Sequence, residues 1–264
     1  MKEKNIIDVF ADSKYPILAS QLADSYKNAS PWEHVVIDDF LPIDVAAQLA
    51  ESYPKPNVLS MLKQDIKPWK YHKNENVDRW LLDNTTEMPE SLKMFAAAVN
   101  SRHFLQFLEV ITGIEAILPD PYFLGGGAMV TGTGGFLKVH ADFNWNANLQ
   151  VWRRANALFY LTPDWEKTWG GNLELWTKDG KSKVVEVEPK FNRVVIFSTK
   201  SDTYHGQPIP TKTPKGITRN LFSSFYYSSK SADGIDVDPH FTKYSKTESP
   251  YSLEIREEYL NQGK

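Results

Sequence analysis

The chain has no cysteine among its 264 residues. That absence excludes disulfides, thiolate nucleophiles, iron–sulfur ligation and cysteine-bound zinc. Any metal must therefore be held by imidazole, carboxylate or carbonyl oxygen. Positive charge is not in excess: 30 Lys and Arg stand against 33 Asp and Glu, for a formal net charge of -3. There is no broad basic surface, and no nucleic-acid partner is expected. No apolar run approaches the roughly 18 residues that a membrane span needs, so no membrane partner is expected either. The opening stretch MKEKNIIDVFADSKYPI has acids scattered through it and no unbroken apolar core. It does not read as a secretory signal, and the expected location is cytoplasmic. Internal repeats and low-complexity segments are missing too. The sequence leaves the oligomeric state open.

Aromatic residues, in contrast, are plentiful at 13%, with 8 Trp, and most belong to a core or a pocket wall. The first third reads as helical. LPIDVAAQLAESYP opens at Pro42, carries Val45, Ala46, Leu49 and Ala50 at helical spacing and stops before Pro54. MPESLKMFAAAVNSRHFLQFLEVITG repeats the pattern with Leu92, Phe95, Ala96, Leu105, Leu108 and Val110, and Gly113 stands where a C-cap belongs. From about residue 121 the texture changes to short β-branched and aromatic runs between Gly, Pro, Asn and Asp clusters. Seven or eight such runs predict a sandwich or barrel, and helices followed by strands predict an α+β arrangement with the helices on one sheet. Residues 1–120 are thus expected to be a helical support integral to the domain. Residues 121–229 would form the β core, and 230–264 a C-terminal extension ending in a helix at SPYSLEIREEYL. The polar, aromatic stretch MLKQDIKPWKYHKNENVDRW is expected to be a mobile lid.

Three signals carry chemistry. In FLKVHADFNWN, His140 and Asp142 stand two apart at a strand end, so both point to the same side of a sheet. Alone, such a pair is as easily a polar strand end meeting solvent. In SDTYHGQPI, His205 follows the strand-like RVVIFS, 65 positions after His140. That interval holds about five short strands, enough for a double-sheet roll to return the chain beside His140; alone, His205 is as easily a turn histidine bonded to backbone. Two histidines and one carboxylate on one face of an ion leave the opposite face open, which is the ligand set of non-haem Fe(II) oxygenases. In GITRNLFSSFYYS, Arg219 begins a strong strand. A guanidinium among core-facing residues needs a partner, and a carboxylate gripped through two hydrogen bonds suits it best. An internal Asp or Glu, or exposure at the strand end, remains the alternative.

The pattern HAD, then H, then R, with NALFYLTPDWEKTWGGNLELW between, resembles the Fe(II)/2-oxoglutarate-dependent oxygenases, and within them the prolyl 4-hydroxylase-type branch. The likeness runs from about residue 32 to residue 228 and includes the lead-in HVVIDDFLP. It implies a double-stranded β-helix, or jelly roll, in which His140, Asp142 and His205 bind Fe(II) and Arg219 grips the distal carboxylate of 2-oxoglutarate. It implies O2 as co-substrate and ascorbate as an accessory ligand. The implied reaction couples decarboxylation of 2-oxoglutarate to hydroxylation of an unactivated C–H bond. The chain departs from the pattern at Leu137, where many prolyl hydroxylases have tyrosine, and at Leu221, where many relatives have serine. Further co-substrate contacts therefore fall to Tyr122, Thr131, Asn156, Tyr160 and Ser223 as candidates. Gly170 and Gly171 are expected to turn the chain into the next strand.

Substrate choice is carried by the rim. FNWNANLQVWRR contributes Trp145, Trp152, Arg153 and Arg154 beside the metal ligands, with a tethered surface loop as the alternative. If the two arginines face the site, an anionic substrate or acidic peptide is favoured. TPDWEKTWGG, with Trp165 and Trp169, is a second rim candidate. The expected substrate is a peptidyl proline; the alternatives are a free amino acid, a sugar or another small molecule. A cupin-type isomerase or zinc hydrolase has no need of the Arg219 clamp, and a non-catalytic jelly roll has no need of buried ionisable groups.

Overall fold

Helix formation follows the apolar spacing, with one adjustment. The structure is a computed structural model and describes residues 5–53, 69–72, 76–235 and 237–246. Helices α1 (Lys14–Lys27), α2 (Ile43–Glu51), α3 (Glu90–Val99) and α4 (Arg102–Thr112) form the helical layer. The long apolar pattern around residue 100 is two helices. α3 ends at Asn100, and Ser101 starts α4 by accepting a hydrogen bond from the Phe104 amide. Gly113, at φ 70°, closes α4 as a left-handed C-cap. The helix expected at SPYSLEIREEYL lies outside the described residues. No helix among the described residues is long and apolar enough to cross a membrane.

The strands are β1 (His34–Ile37), β2 (Lys70–His72), β3 (Asn76–Leu82), β4 (Gly127–Ala141), β5 (Trp145–Asn146), β6 (Val151–Tyr160), β7 (Leu173–Trp176), β8 (Lys183–Val187), β9 (Val194–Ser198), β10 (His205–Gln207), β11 (Arg219–Ser228) and β12 (Lys243–Tyr244). They pair antiparallel in the order β1-β9-β6-β11-β4-β10-β7-β8, with β3 and β12 on the other edge of β4. The sheet folds over into the double-stranded β-helix that the sequence resemblance implies. The first 120 residues are more than a helical support, because they supply β1, β2 and β3. Of the expected lid, β2 and β3 pair antiparallel with β3 joined to β4, and residues 61–68 and 73–75 lie outside the described residues.

Period-two alternation in β11 builds two interiors from one strand. Phe222 and Tyr226 face the helices, where they meet Phe95, Phe104 and Phe159. Leu221, Ser223 and Phe225 face inward, into the roll. At one end of the roll Trp32, Leu158, Tyr160, Leu173, Leu175, Val195, Phe197 and Leu221 pack together, joining the inner faces of both sheets. Each such buried side chain contributes about 1.5–3 kcal/mol.

β4 joins the two sheets. Its residues 127–131 pair with β11, and its far end pairs with β10. On its other edge, β3 advances from Val77 to Arg79 while β4 advances from Phe136 back to Thr131. Residues 132–135, GTGG, stand against a single position of β3, three more than regular pairing needs; they make a bulge beyond which β4 changes partner from β11 to β10, and Gly134 there takes φ 82°.

Candidate active site

The sharp turn of β4 aims its last residues into the roll. His140 lies directly opposite His205 across the β4–β10 pair, with ring centroids 4.6 Å apart. Gly206 makes this approach possible: a Cβ there would lie 3.0 Å from Leu137 O, Lys138 O and Val139 Cα, all backbone atoms. Asp142 Oδ1 is 3.4 Å from His140 Nε2, and Asp142 Oδ2 is 3.5 Å from His205 Nε2. One ligand atom from each of the three lies within 4.8 Å of the others, and no other such group of three occurs among the described residues.

The backbone fixes how the imidazoles present themselves. His140 Nδ1 donates to Lys138 O at 2.7 Å, and His205 Nδ1 donates to Thr203 O at 3.1 Å. A carbonyl can only accept, so the proton sits on Nδ1 and the Nε2 lone pair faces Asp142 in both rings. Burial pushes the His205 pKa down to about 4, with the Asp142 charge restoring only part of the loss. Trp32 and Phe197 wall His205 on its far side. Burial would raise the Asp142 pKa, but the Arg153 charge, aided by the two histidines, holds the carboxyl well below the usual range. Two imidazoles that present Nε2 and an ionised carboxylate converge here, which is the donor set a ferrous ion takes.

Arg153 and Asn156 brace the carboxylate. Arg153 Nη2 lies 2.9 Å from Asp142 Oδ2, Asn156 Nδ2 donates to the same oxygen at 2.8 Å, and Arg153 donates from Nε and Nη2 to Asn156 Oδ1. The guanidinium lies over the rings of Phe143 and Phe225, at 4.5 and 3.5 Å from their centroids, and those rings meet each other edge to face. Arg153, expected at the substrate rim, lines the cavity as the buried partner of Asp142, and Asn156, expected as a co-substrate contact, lines it with its amide engaged with that pair. Arg154 goes the other way, donating to Ser228 Oγ and Lys230 O. A bulge separates the neighbours: Tyr226 and Tyr227 face Ala155 and Arg153, leaving Arg154 as the extra residue.

A cavity of about 230 Å³ holds the triad on one wall and Arg219 on another, with Leu158, Leu173, Phe197 and Leu221 between them. Arg219 is 3% exposed and donates from Nη2 to the Tyr160 hydroxyl at 3.4 Å. Gly171, at φ 67°, leaves room for it, since a Cβ there would lie 3.2 Å from Arg219 Cδ and 2.8 Å from Thr211 Cγ2. The WGGN stretch thus shapes the arginine's seat as well as a turn. Of the co-substrate candidates, Ser223 lines the cavity, Tyr160 meets Arg219, and Thr131 is buried in register with Arg219. Tyr122 is corrected: it is 62% exposed and does not line the cavity. Trp145 and Trp152 do not line it either; they meet edge to face across β5 and β6, with centroids 4.8 Å apart. Trp165 and Trp169 likewise pack together outside it.

Sequence reasoning missed Arg79, which β3 sends into the cavity. The available signal was alternation in DRWLL: Trp80 and Leu82 join the helix-side core, so Arg79 and Leu81 point the other way.

A jelly roll with two histidines and an aspartate opening onto a cavity that also holds a buried arginine is the arrangement suited to non-haem iron oxygenase chemistry. Residues 126–227 match the 2OG-Fe(II) oxygenase superfamily, whose chemistry uses Fe(II), 2-oxoglutarate and O2, and the three metal-type donors lie within that stretch. No curated protein matches the chain. Among solved structures it is similar to a prolyl hydroxylase from Trichoplax adhaerens in complex with a hypoxia inducible factor oxygen degradation domain peptide fragment. That likeness has 18% identity and a TM-score of 0.53, covering 81% of this chain and 90% of that one. A prolyl-4-hydroxylase from Pseudomonas putida matches at 17% identity and TM-score 0.53, over 80% of this chain and 99% of that one. A prolyl 4-hydroxylase from Phytophthora capsici matches at 17% identity and TM-score 0.53, over 89% and 69%. These likenesses establish a prolyl 4-hydroxylase-like fold.

Proposed function

We propose that this oxygenase hydroxylates a peptidyl proline, with His140, Asp142 and His205 holding Fe(II) and Arg219 holding the distal carboxylate of 2-oxoglutarate. The observation that carries the reading is the placement of three metal-type donors and a buried guanidinium around one cavity. The prolyl substrate is supported by the fold shared with prolyl hydroxylases, one of them solved with a peptide. The backbone carbonyls of Lys138 and Thr203 orient the imidazoles, and Arg153 with Asn156 orients the carboxylate. Arg219, steadied by Tyr160, offers a planar fork that matches a carboxylate. Leu158, Leu173, Phe197 and Leu221 keep water away from the space between. Fe(II), when bound, supplies the redox chemistry that couples decarboxylation of 2-oxoglutarate to succinate and CO2 with oxygen insertion into a C–H bond.

The test begins anaerobically. Fe(II) and 2-oxoglutarate together should give the protein a visible charge-transfer absorption that His140→Ala removes. On admission of oxygen, succinate release should rise when proline-containing peptides are added. A His140→Ala protein that kept the absorption would overturn the ligand assignment. Succinate release that responded to free amino acids or sugars and to no peptide would overturn the prolyl substrate.

A further inference from the structure

Arg79 and Arg219 flank the same residue. Arg79 on β3 and Arg219 on β11 each stand directly opposite Thr131 of β4, one from either side. Residues opposed across neighbouring strands share a face of the sheet, so both guanidiniums enter the same cavity. They are 7% and 3% exposed. Among the described residues, Arg79 Nη2 reaches only the sulfur of Met129, at 3.3 Å, and Arg79 Nε has no partner. Arg219 Nε has none either, and its Nη2 meets the neutral Tyr160 hydroxyl. Among the described residues no carboxylate pairs with either, whereas the third buried arginine of the cavity, Arg153, is matched by Asp142. Burial and then the Arg219 charge push the Arg79 pKa down to about 10, so Arg79 remains charged at neutral pH.

Two buried cations side by side repel each other and have lost their hydration; such a pair calls for an anion between them. A carboxylate has two oxygens and about four acceptor positions, more than one guanidinium fork fills. We propose that Arg79 and Arg219 form a two-guanidinium clamp on a single carboxylate, the distal one of 2-oxoglutarate. This rests on the oxygenase reading and adds Arg79 as a residue that determines co-substrate specificity. The second guanidinium makes the far carboxylate of the keto acid a strict requirement. A keto acid that lacks it leaves both cations unmatched.

The experiment measures binding to the Mn(II)-loaded protein under anaerobic conditions, by calorimetry and by shift in melting temperature. The probes are 2-oxoglutarate and 2-oxobutyrate, which share the keto-acid head and differ in the distal carboxylate. Arg79→Met should weaken 2-oxoglutarate binding by about 10- to 100-fold, the range for a lost charged hydrogen bond, and leave 2-oxobutyrate unchanged. Arg79→Lys keeps the charge without the fork and should fall between. The double variant with Arg219→Met should lose less than the product of the two single losses, because both groups hold one carboxylate. Wild-type affinity for 2-oxoglutarate in Arg79→Met and Arg79→Lys would overturn the clamp while leaving the oxygenase reading intact. A wild-type protein that binds Mn(II) but not 2-oxoglutarate would overturn both.

Discussion

Buried Arg153 lies 2.9 Å from Asp142, whose side chain is 11% exposed, so the one carboxylate among the metal-type donors is held by a charge from behind. Asp142 offers its other oxygen, 3.4 Å from His140, toward the ligand space. The pair is a device for aiming a ligand as much as a source of stability.

Removing the brace should therefore affect metal before it affects fold. Arg153→Met is expected to lower affinity for a divalent metal by about 10- to 100-fold, the usual consequence of losing a partner behind a ligand. It should also cost ~3 kcal/mol of unfolding free energy, because Asp142 is left buried without its counter-charge. A Mn(II) titration and a urea melt check the two effects. Unchanged metal affinity would show that Asp142 needs no support from behind.

Gly206→Ala tests the close approach of β10 to β4. The added methyl meets three backbone atoms at 3.0 Å, none of which can rotate away. β10 must shift, carrying His205 from its place opposite His140, at a cost of ~1–3 kcal/mol. The expected result is weakened Mn(II) binding with helical circular dichroism retained. Wild-type metal binding would mean that the strand tolerates the displacement.

Asp120 should govern the acid side of the stability profile. The side chain is fully buried and accepts hydrogen bonds from the Tyr122 and Phe123 amides and from the Tyr227 hydroxyl. Burial raises its pKa above 3.8, with those hydrogen bonds offsetting part of the rise. Between the unfolded and folded pKa values the folded state binds more protons, so this group's contribution to stability declines as pH rises through that window. Asp120→Asn keeps the amide acceptor and abolishes the titration. Its stability relative to wild type should improve as pH is raised from about 4 toward neutrality and then level off. Melting temperatures across that range, with a difference that did not change with pH, would contradict the assignment.

Much of the site was legible because its parts obey simple periodicities. His140 and Asp142 share a face by strand alternation, and Arg219 stands out as a charge in a core strand. What was not legible lies where regularity breaks. The bulge at Arg154 sends Arg153 inward to Asp142 and Arg154 outward to Ser228, a divergence that two adjacent arginines cannot display in sequence. Arg79 sits in a stretch whose polar composition suggests a loop, yet its pairing with Thr131 makes it a wall of the cavity. The break between α3 and α4 was hidden because the apolar pattern runs straight across Asn100 and Ser101. Gly171 and Gly206 owe their roles to contacts distant in sequence, with Arg219 and with β4, which local patterning does not reveal.

The turn in β4 has a further consequence. Thr131, flanked by both cavity arginines, and His140, the first metal-type donor, belong to one continuous strand joined through the GTGG bulge. The reach between the cationic end of the chamber and its imidazole end is thus a covalent gauge, set by a count of residues and not by how separate layers settle together. Shortening the segment by a single glycine would reverse the side on which every later residue emerges, turning His140 and Asp142 away from the interior.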